Sequence, residues 1–122
     1  ILLGIETEDE KEDASWLVSK VAGLRIFDDE NGVMNKSILD ENGDILVISQ
    51  FTLHALTRKG NRPSYIRAAG HEKAVPLYEL FCKKVSEKTA CTVKTGIFAA
   101  DMQVSLVNVG PVTILIDSKN KE

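Results

Sequence analysis

The sequence predicts an α+β fold. Two segments carry apolar residues at helical spacing, several others have the alternating or continuous apolar character of strands, and strands and helices do not alternate regularly. The predicted order is strand, helix, strands, helix, strands, which differs from a doubly wound sheet. With 122 residues the chain is long enough to bury one core, and we expect residues 1–122 to form a single domain.

The first third of the chain contains a predicted strand, a helix and a turn. ILLGI at 1–5 is a short apolar run typical of a buried strand. Thr7 and Glu10 have the spacing of a capping box, and apolar residues follow at helical spacing, so we predict a helix over about 8–23. LRIFDDENG at 24–32 predicts a short extended segment that runs into an Asn-Gly turn.

The middle third predicts a strand, a loop and a second helix. A turn at 40–44 precedes ILVISQFTL at 45–53, whose β-branched and apolar content predicts a strand buried on both faces. The basic segment TRKGNRPSYIR at 57–67 contains Gly and Pro and predicts a loop. The second helix is expected to start at about residue 71, because Pro76 is tolerated only near a helix N-terminus.

Three further strands are predicted in the last third. CTVKTGIF, MQVSLVN and VTILID occupy residues 91–98, 102–108 and 112–117. Each alternates or runs apolar, has strong β propensity and is bounded by turn residues. Together with the strand at 45–53 they supply the sheet of the predicted fold.

The composition excludes several classes of protein. No apolar run approaches the roughly 20 residues that span a bilayer, and no signal-peptide pattern is present, so we expect a cytoplasmic protein with no membrane partner. The two cysteines lack the spacing of a zinc site, and we predict no metal. Cys82 falls on the apolar side of the second helix and is expected to be a buried free thiol.

The charge distribution leaves room for a phosphate-binding site. The net charge of −3 argues against a general nucleic-acid binder. Residues 6–13 hold six acidic residues and one lysine, whereas residues 57–67 hold four basic residues and no acid. A chain that is acidic in total can therefore still bind phosphates locally.

The familiar catalytic motifs are absent from the sequence. It contains no GxSxG elbow, no HExxH and no P-loop. A lone histidine such as His54 is more often structural than catalytic, and His71 is expected to face solvent. Asp101 fits a turn better than a general base, and Cys91 has no activating neighbour. An enzyme with this sequence would not depend on a Ser-His-Asp or Cys-His set.

Polar residues interrupt the apolar strand at its end, in SQFTL at 49–53. In an extended chain Gln50 and Thr52 point to the same face and require hydrogen-bond partners. Two interpretations stay open. The polar groups cap the strand end, or the chain leaves the sheet here and exposes backbone N–H groups that hold a substrate carbonyl or an oxyanion.

The segment NVGPVT at 108–113 also permits two interpretations. Asn, Gly and Pro commonly make a tight turn between strands. Alternatively, Gly110 allows close approach of another molecule, and a cis bond to Pro111 would turn neighbouring carbonyls toward one side as a rigid acceptor surface.

Taken together, SQFTL, GNRPS, TGIFAADMQVSLVN and GPVTILID resemble the D-aminoacyl-tRNA deacylase (D-Tyr-tRNA deacylase) family, in the same order and over essentially the whole chain. The resemblance implies a barrel-like, mainly antiparallel α+β sheet with two helices. It also implies a homodimeric enzyme without a cofactor that hydrolyses the ester of D-aminoacyl-tRNA and of glycyl-mischarged tRNA, in chiral proofreading. Members of the family have an N-terminal β-hairpin that this chain is expected to lack.

The resemblance also assigns site residues by matching motif. The catalytic pocket would be lined by Ser49, Gln50, Phe51 and Thr52. Substrate binding would fall to Asn108, Gly110, Pro111, Thr113, Phe98, Ala100 and Met102, and tRNA binding to Arg58, Lys59 and Arg62. Ala99 stands where a glycine is frequent in the family.

The implied mechanism uses the main chain. Backbone N–H groups of Phe51 and Thr52 would stabilise the oxyanion, and we expect Thr52 to position the substrate because no adjacent base activates its hydroxyl. A cis Gly110-Pro111 step would reach into the partner subunit's pocket and exclude an L side chain. Two alternatives remain: a non-catalytic RNA-binding module on the same scaffold, and an esterase for another small acyl ester.

Overall fold

Two helices pack on a small sheet in the computed structural model, which describes all residues, 1–122. The α+β class is therefore confirmed. The elements in chain order are β1 (Leu2–Leu3), α1 (Lys11–Gly23), β2 (Phe27–Asp28), β3 (Met34–Lys36), β4 (Ile45–Ser49), a 3₁₀-helix (Phe51–His54), α2 (His71–Thr89) and β5 (Val93–Thr95).

The central sheet is parallel, with strand order β1-β4-β5. Helix α2 returns the chain between β4 and β5, so that both strands run in the same direction, as a crossover connection requires. Strands β2 and β3 form a separate antiparallel hairpin around the predicted Asn-Gly turn, where Gly32 has φ +73°. The expectation of a mainly antiparallel, barrel-like sheet is wrong for this chain, because the three-stranded sheet is parallel and does not close.

The C-terminal segment (residues 101–119) does not form the predicted strands. No residue in it takes part in a backbone–backbone hydrogen bond, and of CTVKTGIF only Val93–Thr95 is a strand. A strand requires backbone hydrogen bonds to a neighbouring edge, and the segment makes none within this chain. Several large apolar side chains of the segment are consequently exposed: Leu106 by 71%, Val107 by 86% and Leu115 by 84%.

Helix α1 begins later than predicted, at Lys11 instead of residue 8. The carboxylate of Asp9 accepts the Glu6 N–H at 2.9 Å, and the Asp9 N–H donates to the Glu6 carbonyl at 3.1 Å, so these residues form a turn. The capping box consequently joins Glu10 and Asp13, three residues beyond the predicted Thr7. Helix α2 starts at His71, as predicted.

The core lies between the two helices and one face of the sheet. It consists of Leu3, Val18, Ile45, Val47, Tyr78, Phe81 and Val85. Strand β4 is not buried on both faces, because Leu46 is 46% exposed. Cys82 is free and only half-buried, and desolvation raises the pKa of its thiol. Neither helix is long and apolar enough to cross a membrane.

Candidate active site

The chain leaves the sheet directly after β4. The Gln50 N–H donates to the Leu3 carbonyl at 2.8 Å, which is the last backbone bond to the neighbouring strand. The following residues turn into the 3₁₀-helix instead of continuing the strand to residue 53. Of the two interpretations of SQFTL, this geometry favours the departure from the sheet.

Gln50 and Thr52 are joined side chain to side chain. The Gln50 amide donates to Thr52 Oγ1 at 2.5 Å, so both side chains lie on one side, as predicted. The backbone N–H groups of Phe51 and Thr52 donate to no acceptor in the structure. They are the first amides of a short helix, which have no intrahelical partner. Two adjacent donors therefore remain available to a ligand oxygen.

Tyr78 supports β4 from the helix side. Its hydroxyl donates to the Val47 carbonyl at 2.8 Å, and the residue is 6% exposed. Burial, and secondarily the neighbouring Cys82, raise the pKa of Tyr78 to about 12, so the phenol stays protonated at neutral pH. This bond fixes the strand two residues before Ser49.

A cleft of about 550 Å³ lies beside the strand end. It brings together Ser49, Gln50 and Phe51 with Phe98, Ala100 and Met102, which come from two separate motifs. Most of the lining residues are apolar and only a few are polar, which is the usual composition of a small-molecule site. The lining does not include Thr52, whose hydroxyl is held by Gln50 instead.

Aromatic rings form two walls of the cleft. Phe51 and Tyr65 pack edge to face with centroids 4.9 Å apart, and Phe98 lies edge to face with His71 at 5.5 Å. Tyr65 and His71 were missed by the sequence reasoning. Tyr65 directly follows the GNRPS motif, which was a usable signal. His71 is exposed, as expected, yet its ring also lines the cleft, as does Asp101.

Met102 reaches the cleft because residue 96 is a glycine. A Cβ at Gly96 would lie 2.5 Å from Met102 Sδ and 3.2 Å from Ile48 Cδ1. These distances are shorter than ordinary van der Waals contacts. The absent side chain at Gly96 therefore lets Met102 lie against β4.

The Gly110-Pro111 step lies outside the cleft of its own chain. The peptide bond is cis, Gly110 has φ +127°, and residues 108–110 are exposed. Asn108 braces the turn, since its Nδ2 donates to Thr113 Oγ1 at 3.1 Å and its Oδ1 accepts the Val112 N–H at 3.0 Å. The structure thus places this motif on a self-supported exposed turn.

The basic loop (residues 57–67) projects from the end of the 3₁₀-helix. Leu56 and Ser64 exchange two backbone hydrogen bonds, of 2.8 and 3.0 Å, that close its base. Arg58, Lys59 and Arg62 are all exposed and form no ion pair. Free cations on a projecting loop are suited to phosphate contacts. No group of three or more His, Cys, Asp or Glu side chains is arranged to hold a metal ion.

The unpaired amides of Phe51 and Thr52 directly follow β4, whose end lines the mostly apolar cleft. A family model described as D-Tyr-tRNA(Tyr) deacylase matches residues 1–117, and the chain belongs to this family. Proteins named D-aminoacyl-tRNA deacylase from Phocaeicola vulgatus and Bacteroides fragilis are each 66% identical to it, and one from Flavobacterium psychrophilum is 61% identical. Each comparison covers 100% of this chain and 81% of the relative.

Two solved structures are similar to the chain. A structure named c-Myc DNA Unwinding Element Binding Protein has a TM-score of 0.86 and 40% identity, covering 93% of this chain and 76% of that one. A probable eukaryotic D-amino acid tRNA deacylase has a TM-score of 0.72 at 14% identity, covering 82% and 74%. At 14% identity the second likeness concerns the fold alone.

Proposed function

We propose that the cleft beside β4 is where this chain hydrolyses the ester that links tRNA to a D-amino acid. The observation on which the proposal depends is the pair of unpartnered N–H groups at Phe51, which lines the mostly apolar cleft, and at the adjacent Thr52. Membership in the D-Tyr-tRNA(Tyr) deacylase family supports the substrate class. The reaction occurs in the cytoplasm, where charged tRNA is found.

Hydrolysis needs stabilisation of negative charge more than it needs a protein nucleophile. When water attacks the aminoacyl ester, the carbonyl oxygen becomes an oxyanion, and two amide donors about 3 Å away stabilise it. No basic side chain hydrogen-bonds to Thr52 Oγ1, which already accepts from Gln50. Thr52 is therefore left to donate its own proton to the substrate, and the 2′-OH of the terminal adenosine assists the attacking water.

The remaining cleft residues hold the end of the tRNA. Ser49 and Gln50 face the ester, while Phe98, Ala100 and Met102 form an apolar wall for the adenosine or the aminoacyl group. Arg58, Lys59 and Arg62 on the basic loop bind acceptor-stem phosphates. Because phosphate contacts release counterions, binding weakens as salt is added.

Selectivity for handedness comes from a second copy of the chain. The turn around Gly110-Pro111, with Asn108 and Thr113, enters the partner's cleft, where its carbonyls accept the substrate's amino group and leave no space for an L side chain. Glycine and D-residues project nothing there and are hydrolysed. The exposure of the turn and of the apolar C-terminal segment in the single chain supports a homodimer.

One assay tests the activity. The protein is incubated with D-Tyr-tRNA and L-Tyr-tRNA, and loss of the ester is followed. Hydrolysis of the D-form alone is expected. Binding without turnover would instead indicate an RNA-binding module, an alternative that the names of the relatives do not favour. Equal hydrolysis of both forms would indicate a general esterase.

Subunit mixing tests the shared site. A Gln50→Ala chain and a Gly110→Val chain are each expected to be weakly active alone. If the site is shared, a mixed dimer carries both defects in one site and leaves the other site intact. About half of the randomly mixed dimers are of this kind, so roughly a quarter of full activity returns. No recovery on mixing would show that each chain uses its own turn.

A further inference from the structure

Glu6 is a buried carboxylate that joins two segments distant in sequence. Its side chain is 7% exposed, and Oε2 accepts hydrogen bonds from Arg67 Nε at 2.9 Å and Arg67 Nη2 at 2.5 Å. His54 Nδ1 lies 3.9 Å from the same oxygen. A buried carboxylate is tolerated only when it is paired, so Glu6 requires these partners.

Both partners belong to segments of the proposed substrate site. Arg67 is the last residue of the basic loop, and the backbone next to it is bonded to the chain around Glu6, through Thr7 N–H to the Arg67 carbonyl at 2.9 Å and Ala69 N–H to the Ile5 carbonyl at 2.9 Å. His54 is the last residue of the 3₁₀-helix. One carboxylate therefore contacts the end of each segment.

The imidazole is also confined by close packing. A Cβ at Gly4 would lie 3.0 Å from both Cδ2 and Nε2 of His54 and 3.1 Å from the Gln50 carbonyl. The ring thus lies against the backbone of Gly4, close to the Gln50 carbonyl. Leu56 and Ser64 close the loop base, and Arg67 at the end of the loop is bonded to Glu6.

We propose that Glu6 is a positioning residue that acts through Arg67 and His54 to fix the basic loop relative to the 3₁₀-helix, so that a tRNA held by the loop presents its ester to the cleft. This inference rests on the phosphate-binding role proposed above for the loop. Glu6 itself is buried and does not touch the substrate. A half-exposed Arg67 could also bind a phosphate directly, so Glu6 is the informative residue to change.

Two substrates separate a positioning role from a merely structural one. The first is D-Tyr-tRNA and the second is D-tyrosyl-adenosine, which has the same ester but no phosphates for the loop to bind. For Glu6→Gln we expect KM for D-Tyr-tRNA to rise about tenfold with kcat within about twofold, and kcat/KM for D-tyrosyl-adenosine to change less than about twofold. Arg67→Lys keeps a cation opposite Glu6 and is expected to raise KM for D-Tyr-tRNA less than Glu6→Gln does.

Glu87→Gln is the matched control. Glu87 lies on α2 with its side chain 64% exposed and its carboxylate 3.9 Å from Lys83 Nζ, so this variant makes the same change in net charge at a surface pair. We expect its KM for D-Tyr-tRNA to be unchanged. If Glu6→Gln does not fold, the double variant Glu6→Gln, Arg67→Gln, which leaves neither charge unpaired, is measured in its place. It is compared with Arg62→Gln, which also removes one loop cation but keeps the Glu6 pair.

The outcomes distinguish this inference from the proposed function. An equal loss on both substrates, or no loss on either, would overturn the role of Glu6. If Gln variants of Arg58, Lys59 and Arg62 raise KM for D-Tyr-tRNA but the Glu6 variants do not, only the positioning role is wrong. If the loop variants leave KM unchanged, the loop does not bind tRNA and the inference fails with it.

Discussion

The Gln50 side-chain amide donates to Thr52 Oγ1 at 2.5 Å, across the first turn of the 3₁₀-helix. The bond occupies a lone pair of the hydroxyl and directs its proton elsewhere. A hydroxyl in this state is a hydrogen-bond donor to a ligand, whereas a nucleophile would need a base to accept its proton.

Replacement of Thr52 by alanine is therefore expected to slow the reaction without abolishing it. Loss of one positioning hydrogen bond should lower kcat/KM on D-Tyr-tRNA by about tenfold, against several thousandfold or more for a lost nucleophile. Single-turnover hydrolysis measures the effect, and Thr52→Ser, which keeps the hydroxyl, is the control. Near-total loss of turnover with intact binding would show that Thr52 is the nucleophile.

Alanine at position 110 is expected to reduce hydrolysis of D-substrates strongly. The φ of +127° disfavours an L residue, and the new Cβ would lie 2.8 Å from Val112 Cγ2 and 3.0 Å from Val112 N. The turn must shift, and a shift of about 1 Å in a positioning group can cost on the order of a hundredfold in rate. Gly32→Ala is the control, because φ is +73° there and nothing lies within 4 Å. Equal rates for the Gly110 variant and the parent chain would contradict the assigned role.

Neutralising the basic loop is expected to weaken tRNA binding in a salt-dependent way. Arg62→Gln removes an exposed cation, so KM for D-Tyr-tRNA should rise and the slope of log K against log salt should become shallower by about 1. Measurements between low and physiological salt give the slope. Lys88→Gln on α2 is the matched control and should leave the slope unchanged. If Arg62→Gln and Lys88→Gln had the same salt slope, the tRNA phosphates would not contact Arg62.

Glycine at position 99 is expected to preserve or raise stability. Ala99 has φ +61°, in the left-handed region, which costs an L residue roughly 1 kcal/mol or more. Glycine removes this cost but adds about 0.5–1 kcal/mol of unfolded-state entropy, so the net gain is about 0–0.5 kcal/mol for a cost of about 1 kcal/mol and larger for a greater cost. Urea unfolding measures it. Ala100→Gly has only the entropic cost, so this variant should be less stable than the parent. If Ala99→Gly lost the same stability, the backbone of Ala99 would not be strained.

The stability change in Asp9→Asn is expected to depend on pH. Burial, with the carboxylates of Asp13 and Glu6, raises the pKa of Asp9 above 3.8, although the hydrogen bond from the Glu6 N–H opposes the shift. The folded state then holds the proton of Asp9 more tightly than the unfolded state does. The free energy of unfolding of the parent protein therefore falls as pH rises through the folded pKa. Asn can still accept the Glu6 N–H, and the variant should be the more stable protein at pH 7.

The advantage of Asp9→Asn should shrink as pH falls through the raised pKa of Asp9 and should be absent below about pH 4, where the parent carboxyl is protonated in both states. Unfolding midpoints across pH 3–7 measure this trend. Asp29→Asn provides the opposite sign, because backbone hydrogen bonds from Val33 and Asn31 lower the pKa of Asp29. Asp29→Asn should lower the free energy of unfolding most at pH 7, and this loss should become smaller as pH falls. Parallel pH trends in the two variants would contradict the assignment for Asp9.

Local patterns were enough to predict both helices and the start of α2, although α1 begins three residues later than predicted. Apolar spacing and Pro76 predicted the start of α2 at His71, and the Asn-Gly turn appears where it was expected. The polar residues of SQFTL marked the point at which the chain leaves the sheet. These features depend on neighbours within a few residues, which the sequence contains directly.

Pairing between strands was not predictable in the same way. The segments 102–108 and 112–117 have strand-like patterns, yet they bond to no edge, and β1, β4 and β5 are parallel. A β pattern specifies which faces are apolar but does not name the partner strand. Tyr65 and His71 were missed at the cleft for a similar reason, since only the packed chain brings their rings to Phe51 and Phe98.

The sequence by itself determined the fold class, the family and the motifs that surround the cleft, because these follow from local spacing and from residue types in a fixed order. Only the tertiary structure decided that two N–H groups at Phe51 and Thr52 are left without acceptors, and that Glu6 joins Arg67 to His54. The Glu6–Arg67 pair joins residues 61 positions apart, and the free N–H groups depend on which acceptors the fold brings near them. Both are set by packing of the whole chain.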